Sequence, residues 1–416
     1  MSLQRSKVCG IDVHKTFFVA AVLSDTGEFW IDRFSHDRPG LLALKDWILD
    51  HRCEVVAVES TGVYWYSIYS TLEDSVPVIV ANPYLIKNIP GRKTDVIDAQ
   101  WIAELTLNNL IKPSRIFPKD DRELRNLTRA RENLVQNRTR LKNRIHRSLE
   151  SASIKLSSVL SDIFGKSGQY ILEHLLQGTP IDEIIQGIPS QKIRDKEEAL
   201  RNAIQYHLSD DQILIIEQSL EEIGMINRQI QELDDAIQVR LEDRNEDLQI
   251  AMSMPGIGWT SGVTILAEIG DYRDFDSPDK LAAWAGLVPT VYQSADKLRT
   301  GRITKQGSKH LRWILVEAAQ AAAKKRGSVL RRFFLRIKKR KGYNVAIVAL
   351  ARKILCILWH ILVKKEYYTE ENIPSKKVRI PHRIGITQKS LEQSIELLVQ
   401  AGYLVWKQNI IDPGGR

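Results

Sequence analysis

Four carboxylates stand where metal-assisted phosphodiester chemistry would need them. Asp12 falls at the end of an extended, apolar run from Lys7 to Val13, and Glu59 directly follows a second run from Glu54 to Val58. Asp95 and Asp98 lie three apart at the start of a helical pattern, so both fall on one helix face. If the two strands are neighbours, the four acids converge from two strand ends and a helix start. Such an oxygen-rich set suits Mg2+ or Mn2+. Ions held in this way activate an attacking oxygen and stabilise a leaving one. The plain alternative makes Asp12 a turn residue, Glu59 a surface residue, and Asp95 and Asp98 acids that favour a helix N-terminus. Any one position fits that alternative well, and all four together fit it poorly. Arg92 and Lys93, in Pro90-Gly91-Arg92-Lys93, are placed to contact a phosphate, and Thr61-Gly62 leaves room for a backbone beside Glu59.

The elements that must position these acids follow from hydrophobic periodicity. Lys7–Val13, Thr16–Leu23 and Glu28–Phe34 read as three strands, with a turn at Asp25-Thr26-Gly27. A helix over Leu41–Leu49, a strand over Glu54–Val58, a helix over Tyr64–Leu72, a strand over Val76–Val80 and a helix over Asp95–Leu105 complete the order. A three-strand meander followed by alternating helices and strands predicts an α/β ribonuclease-H-like (RuvC-like) N-terminal domain.

Composition narrows the partners. The 416 residues carry 60 Lys and Arg against 51 Asp and Glu, a formal charge of +9. This basic excess favours polyanions, nucleic acid foremost. Three separated cysteines, Cys9, Cys53 and Cys356, rule out a disulfide framework or zinc ribbon and fit a reducing, cytoplasmic setting. No signal-peptide pattern is visible at the start. Val345–Val363 is the one membrane candidate, but Arg352, Lys353 and His360 interrupt it, so we expect a buried helix and no membrane partner.

Several stretches together resemble one family. They are Gly10-Ile11-Asp12-Val13-His14-Lys15, Glu59-Ser60-Thr61-Gly62-Val63-Tyr64-Trp65, Asn82-Pro83, and Gly91-Arg92-Lys93-Thr94-Asp95-Val96-Ile97-Asp98-Ala99. In this order and spacing they resemble the DEDD insertion-sequence transposases of the IS110 family, which includes the Piv-type DNA invertases. The resemblance resumes at Ala285-Gly286-Leu287-Val288-Pro289, Gly301-Arg302-Ile303, Gly307 and Leu311-Arg312. It implies that a serine in the polar loop Tyr292–Lys297 is the nucleophile, forming a phosphoserine link to DNA. On this chain that residue is Ser294, although Ala295 follows it where the family commonly has glycine. Ser308 is the second candidate, with the look of a helix-start residue. The resemblance also implies a structured noncoding guide RNA and a homo-oligomer, dimer or tetramer. No His–Asp couple stands beside Ser294 in the sequence, so metal ions held by the four carboxylates would activate it if both halves of the chain form one composite site.

Between these parts the chain reads as helical. Asp121 to Arg147 holds nine Arg or Lys and three acids, with Leu124, Leu127, Leu134, Leu141, Ile145 and Leu149 at helical spacing. A solvated face is the bland reading, and nucleic-acid backbone binding through Arg125, Arg129, Arg138 and Arg140 is the functional one. The acidic stretch Gln212–Leu241, with Ile215, Leu220, Ile223, Ile226, Ile230, Leu233 and Ile237, predicts a coiled-coil arm, a dimer contact or an internal hairpin.

A mostly α C-terminal transposase domain then opens at Met254-Pro255-Gly256-Ile257-Gly258. This resembles a helix-hairpin-helix element in which Gly256 and Gly258 hold a phosphate, or else a plain turn ahead of a helix over Thr260–Ile269. Ser277-Pro278 reads as a helix start closed by Gly286. Arg302, Lys305, Lys309, Arg312, Arg331 and Arg332 are further nucleic-acid candidates, the last two within a region free of acids from residue 318 to 365.

The expected domains are 1–118, catalytic; 119–250, helical; 251–366, carrying the serine; and 367–416, a small extension holding an amphipathic helix over Ser390–Gln400. The expected function is a DNA recombinase that mobilises an insertion sequence. Two alternatives are a metal-dependent DNA-junction endonuclease without a covalent intermediate, and a non-enzymatic nucleic-acid-binding architectural protein.

Overall fold

The computed structural model describes residues 5–60, 62–83, 95–294 and 297–370, with side chains except those of 95–97 and 291–300. Arg92 and Lys93, and the extension from residue 371, lie outside the described residues. The chain divides after Leu233 into two compact units.

The first unit is built on a mixed five-stranded sheet of order β3-β2-β1-β4-β5. The strands are β1 (Lys7–Val13), β2 (Phe17–Ser24), β3 (Phe29–Ser35), β4 (Val55–Glu59) and β5 (Val78–Ala81). β1 runs antiparallel to β2 and parallel to β4, with Cys9 beside Val56 and Ile11 beside Val58. The alternation of the strands divides the sheet into two faces. Cys9, Ile11, Val56 and Val58 face a core with Leu44, Ile48, Ile68 and Leu72. Those four come from α1 (Arg38–Asp50) and α2 (Trp65–Leu72), and α1 is capped by Asp37, whose carboxylate accepts the Gly40 N–H at 2.9 Å.

The opposite face is covered by α3 (Asp95–Leu107). Ala99 packs with Val19 and Ala21, Ala103 with Val8 and Val55, and Ile102 with Ala57. As α3 proceeds, its contacts move from the Gly10 level of β1 back to Val8, so it runs antiparallel to β1. A Cβ built on Gly10 would stand 2.3 Å from the Ala103 amide nitrogen and 2.4 Å from the Ala99 carbonyl oxygen. Only glycine lets the helix backbone lie directly on the central strand. At the far end, Arg5 donates to the Thr106 carbonyl at 2.7 Å.

α4 (Lys119–Ser151) leaves this body from a buried anchor. The Arg122 guanidinium grips the Glu73 carboxylate with both nitrogens at 2.9–3.2 Å and donates to the Phe117 carbonyl at 2.9 Å. A bidentate, charge-assisted pair of this kind fixes direction as well as distance. Further along, Leu141, Ile145 and Leu149 enter a core with short helices α5 (Lys166–Leu176), α6 (Ile181–Gly187) and α8 (Glu197–Ile204), the four-residue α7 (Gln191–Arg194) lying between the last two. Ile216 and Ile223 of α9 (Asp210–Arg240) join the same core. Of the stripe expected in this stretch, Ile223 is buried in this core, whereas Ile215 is exposed and its neighbour Ile216 takes the buried place.

The second unit is helical with one hairpin. Its helices are α10 (Asn245–Met252), α11 (Trp259–Ile269), α12 (Pro278–Trp284), α13 (Lys309–Lys324), α14 (Val329–Lys341) and α15 (Tyr343–Lys364). Ser277 caps α12 by accepting the Lys280 N–H, with Pro278 at the first turn. Among the described residues α15 alone has the length and composition of a membrane span, and half of its apolar stretch is buried inside the fold. Leu350, Ile354, Leu358 and Ile361 are buried, and α15 packs on α12, α13 and α14. Its C-terminal Lys365 pairs with Asp247 of α10 at 2.5 Å. Of the segment Tyr292–Lys297, expected as a loop, Tyr292–Ser294 instead end β6 (Pro289–Ser294) and Lys297 opens β7 (Lys297–Ile303), the two strands of an antiparallel hairpin.

Gly10→Ala should force α3 off β1 and lower stability by about 1–3 kcal/mol, the usual cost of overpacking. Urea unfolding of the purified protein checks this, and an unchanged midpoint would contradict it.

Candidate active site

β1 and β4 are paired in register up to Ile11 and Val58, so Asp12 and Glu59 occupy the next level of adjacent strands. By the alternation, both belong to the α3 side of the sheet. The stripe of α3 that meets the sheet runs through Ala99, Ile102 and Ala103; Asp98 precedes Ile102 by one turn, and Asp95 precedes Ala99 by one turn. Because α3 is antiparallel to β1, its first turn lies at the sheet edge where Asp12 and Glu59 end their strands. Asn82 sits at that edge too, directly after the Ala81 that pairs with Glu59. The fold thus gathers Asp12, Glu59 and Asp98 at one sheet edge and starts the helix there at Asp95.

Asp12 is largely enclosed, its side chain 15% exposed, and His14 Nε2 donates to its Oδ2 at 3.1 Å. His14 stacks on Phe17, with ring centroids 4.5 Å apart. His36 Nδ1 donates to the His14 carbonyl at 2.9 Å, and its Nε2 lies 2.6 Å from Ser67 Oγ. The sequence reading gave neither histidine a role. The only signal was the two-residue spacing of His14 from Asp12, and nothing local predicted His36. Among the described side chains, no three His, Cys, Asp or Glu groups stand close enough to hold a metal. The carboxylate oxygens of Asp12, Glu59 and Asp98 are nevertheless the donor chemistry that a hard divalent cation takes.

In the second unit Ser294 is the last residue of β6 and pairs with Lys297 across a two-residue connection. Ser308, the second serine candidate, is the N-cap of α13, its Oγ accepting the Leu311 N–H at 3.2 Å. Arg302, Lys305 and Lys309, near the hairpin base, are exposed.

The remaining basic candidates differ in what they touch. Arg125 lies 3.9 Å over the Phe117 ring and Arg129 is half-buried. Arg138 donates to Asn227 at 2.7 Å, and the exposed Arg140 to Asn137 at 3.1 Å. Arg331 donates to the Lys324 carbonyl at 3.0 Å and Arg332 to the Gly327 carbonyl at 2.6 Å. Arg312 donates to three backbone carbonyls, and burial lowers its pKa below the ordinary arginine value. Gly256 (φ +92°) abuts α13, where a Cβ would stand 2.3 Å from the Ala318 carbonyl oxygen. Gly258 caps α11 and faces open space.

Residues 9–154 match the DEDD IS110 transposase family, and residues 248–335 match the family described as transposase IS116/IS110/IS902, together more than half of the chain. The transposase for insertion sequence element IS1111A of Coxiella burnetii is 23% identical, covering 88% of this chain and 92% of its own. The transposase for IS1328 of Yersinia enterocolitica is 22% identical, covering 76% and 86%. The pilin gene-inverting protein of Moraxella lacunata is 24% identical, covering 85% and 94%. The chain belongs to the IS110 family of transposases, enzymes that cut and rejoin DNA.

Proposed function

We propose that this transposase mobilises an insertion sequence by transferring DNA strands through Ser294, with Asp12, Glu59, Asp95 and Asp98 holding Mg2+ or Mn2+ in a ribonuclease-H-like domain. The observation that carries the reading is the course of α3, which brings Asp98 to the sheet edge that ends in Asp12 and Glu59. A divalent cation bound there supplies Lewis acidity that offsets charge on the phosphate oxygens. The chain's own contribution is to keep the donors oriented. His14 fixes one oxygen of Asp12, and His36 holds the backbone of His14.

In the transfer step the Ser294 hydroxyl loses its proton and forms a new O–P bond. The scissile P–O bond breaks, and the departing DNA hydroxyl takes up a proton. One phosphodiester replaces another, so the reverse step rejoins DNA without a nucleotide cofactor. Exposed Arg302, Lys305 and Lys309 beside the hairpin base support phosphate binding along the hairpin that carries Ser294. The reading includes a structured guide RNA and a homo-oligomer, carried by the family resemblance. The exposed guanidinium groups of Arg140, Arg144 and Arg147 on α4 suit such a polyanion.

The test is strand cleavage of element-end DNA with Mg2+ and flank-derived RNA, resolved on a denaturing gel. Wild type should give cleaved strands with protein attached, Ser294→Ala should lose the attached species, and Asp12→Asn should lose cleavage. Full cleavage by Asp12→Asn would sink the carboxylate assignment. Cleavage without attached protein, unchanged in Ser294→Ala, would favour water attack and a junction endonuclease.

Ser308→Ala should keep the covalent species while costing about 1 kcal/mol in thermal stability through the lost cap. Loss of the species in Ser308→Ala and its survival in Ser294→Ala would exchange the two serines' roles.

A further inference from the structure

An arginine one turn into a basic helix reads from sequence as a phosphate contact, and Arg312 does something different. Its Nη1 lies 3.2 Å from the Ala285 carbonyl oxygen, 2.7 Å from that of Gln306 and 3.0 Å from that of Gly307. These oxygens belong to both legs of the β6–β7 hairpin. Ala285 ends α12 ahead of β6, and Gln306 and Gly307 follow β7.

The legs are held at close quarters. The backbone at Gly286 (φ +71°) and Gly307 (φ +76°) lies in the left-handed region. A Cβ on Gly286 would stand 2.1 Å from the Gln306 oxygen, and one on Gly307 2.1 Å from the Trp284 oxygen. Between the legs, the Thr304 N–H donates to Val288 at 3.0 Å and the Lys305 N–H to Gly286 at 3.2 Å. Three carbonyl oxygens therefore converge on one guanidinium nitrogen beside this tight backbone packing. The two N–H groups of Nη1 are shared among these oxygens, and the planar guanidinium holds that nitrogen in place more rigidly than an ammonium on a flexible stem would. The hairpin needs such an anchor, because its sheet has two strands and a register shift between Pro289 and Val291. A lone two-stranded sheet is marginal without outside support.

We propose that Arg312 is a positioning residue for strand transfer: it locks the base of the β6–β7 hairpin so that Ser294, at the end of β6, is presented in one orientation. This rests on the reading of Ser294 as the nucleophile. Arg312 acts through the hairpin and does not grip DNA. Lys309 and Arg302, exposed nearby, are left to meet phosphate.

The experiment uses the full chain with Mg2+, element-end DNA and flank-derived RNA, comparing wild type, Arg312→Lys, Arg312→Ala and Ser294→Ala. It reads the rate of covalent-species formation, DNA affinity across a salt series, and melting temperature. Arg312→Lys should keep wild-type DNA affinity and salt slope while forming the covalent species about 10–100-fold more slowly, the scale of a misplacement near 1 Å. Added guanidinium ion should restore part of the rate in Arg312→Ala. A wild-type rate in Arg312→Lys overturns the proposal. So does a fall in DNA affinity with a shallower salt slope in Arg312→Ala, which would mark a phosphate contact. A loss of rate that tracks loss of folded protein, without rescue by guanidinium, overturns it in favour of a purely structural role. If wild type and Ser294→Ala form product alike, the nucleophile reading fails, and the hairpin proposal falls with it. A serine-dependent species that forms at the wild-type rate in Arg312→Lys defeats the positioning role alone.

Discussion

The close approach of α3 to β1 at Gly10 is the constraint on which the N-terminal unit depends. A helix laid on a sheet usually rides on side chains. Here the Ala99 and Ala103 backbone sits on the central strand, and alanines rather than bulky residues line the contact. That closeness fixes the depth and direction of α3, and with them the position of its first turn relative to Asp12 and Glu59. The opposite face carries the larger core of Phe18, Leu44, Ile48 and Ile68, which holds the strands in register. One face supplies stability and the other the placement of acids.

The second unit solves a similar problem in another way. Its buried helix α15 gives the unit an apolar axis, with Leu350, Ile354 and Leu358 packed against α12, α13 and α14. The hairpin stands on the ends of α12 and α13 and is tied there by carbonyl contacts and left-handed glycines rather than by a large core. Polar bonds of this sort are directional, and they set an orientation that hydrophobic packing alone leaves loose. Basic residues in this region are thus of two kinds. Arg312, Arg331 and Arg332 finish backbone ends, while Arg302, Lys305 and Lys309 are exposed.

Much of this was legible in the sequence, for physical reasons. β-branched runs such as Lys7–Val13 and Glu54–Val58 have little option but to be strands, and Ser277-Pro278 marks a helix start through its cap. The leucines of α4 and the isoleucines of α9 announced apolar stripes, but periodicity cannot name the partner. The structure seats Leu141, Ile145, Ile216 and Ile223 in a core with the chain's own short helices. The hairpin escaped notice because Gln293, Ser294, Lys297 and Arg299 are polar, and a two-stranded ribbon lacks a clear apolar face. Arg312 and Arg331 look like any other cation in a charge run, since composition does not say where a guanidinium ends. His36 was invisible because its partners, His14 and Ser67, are distant in sequence.

The edge built by β1, β4 and α3 is the proposed metal-binding centre of the DNA-cutting reaction. Anomalous scattering from Mn2+ in crystals of the protein with element-end DNA tests it most directly. A peak is expected within coordination distance, roughly 2.1 Å, of carboxylate oxygens from Asp12, Glu59 and Asp98. Crystals that cleave their DNA while Mn2+ scatters elsewhere, with nothing at that edge, would contradict it.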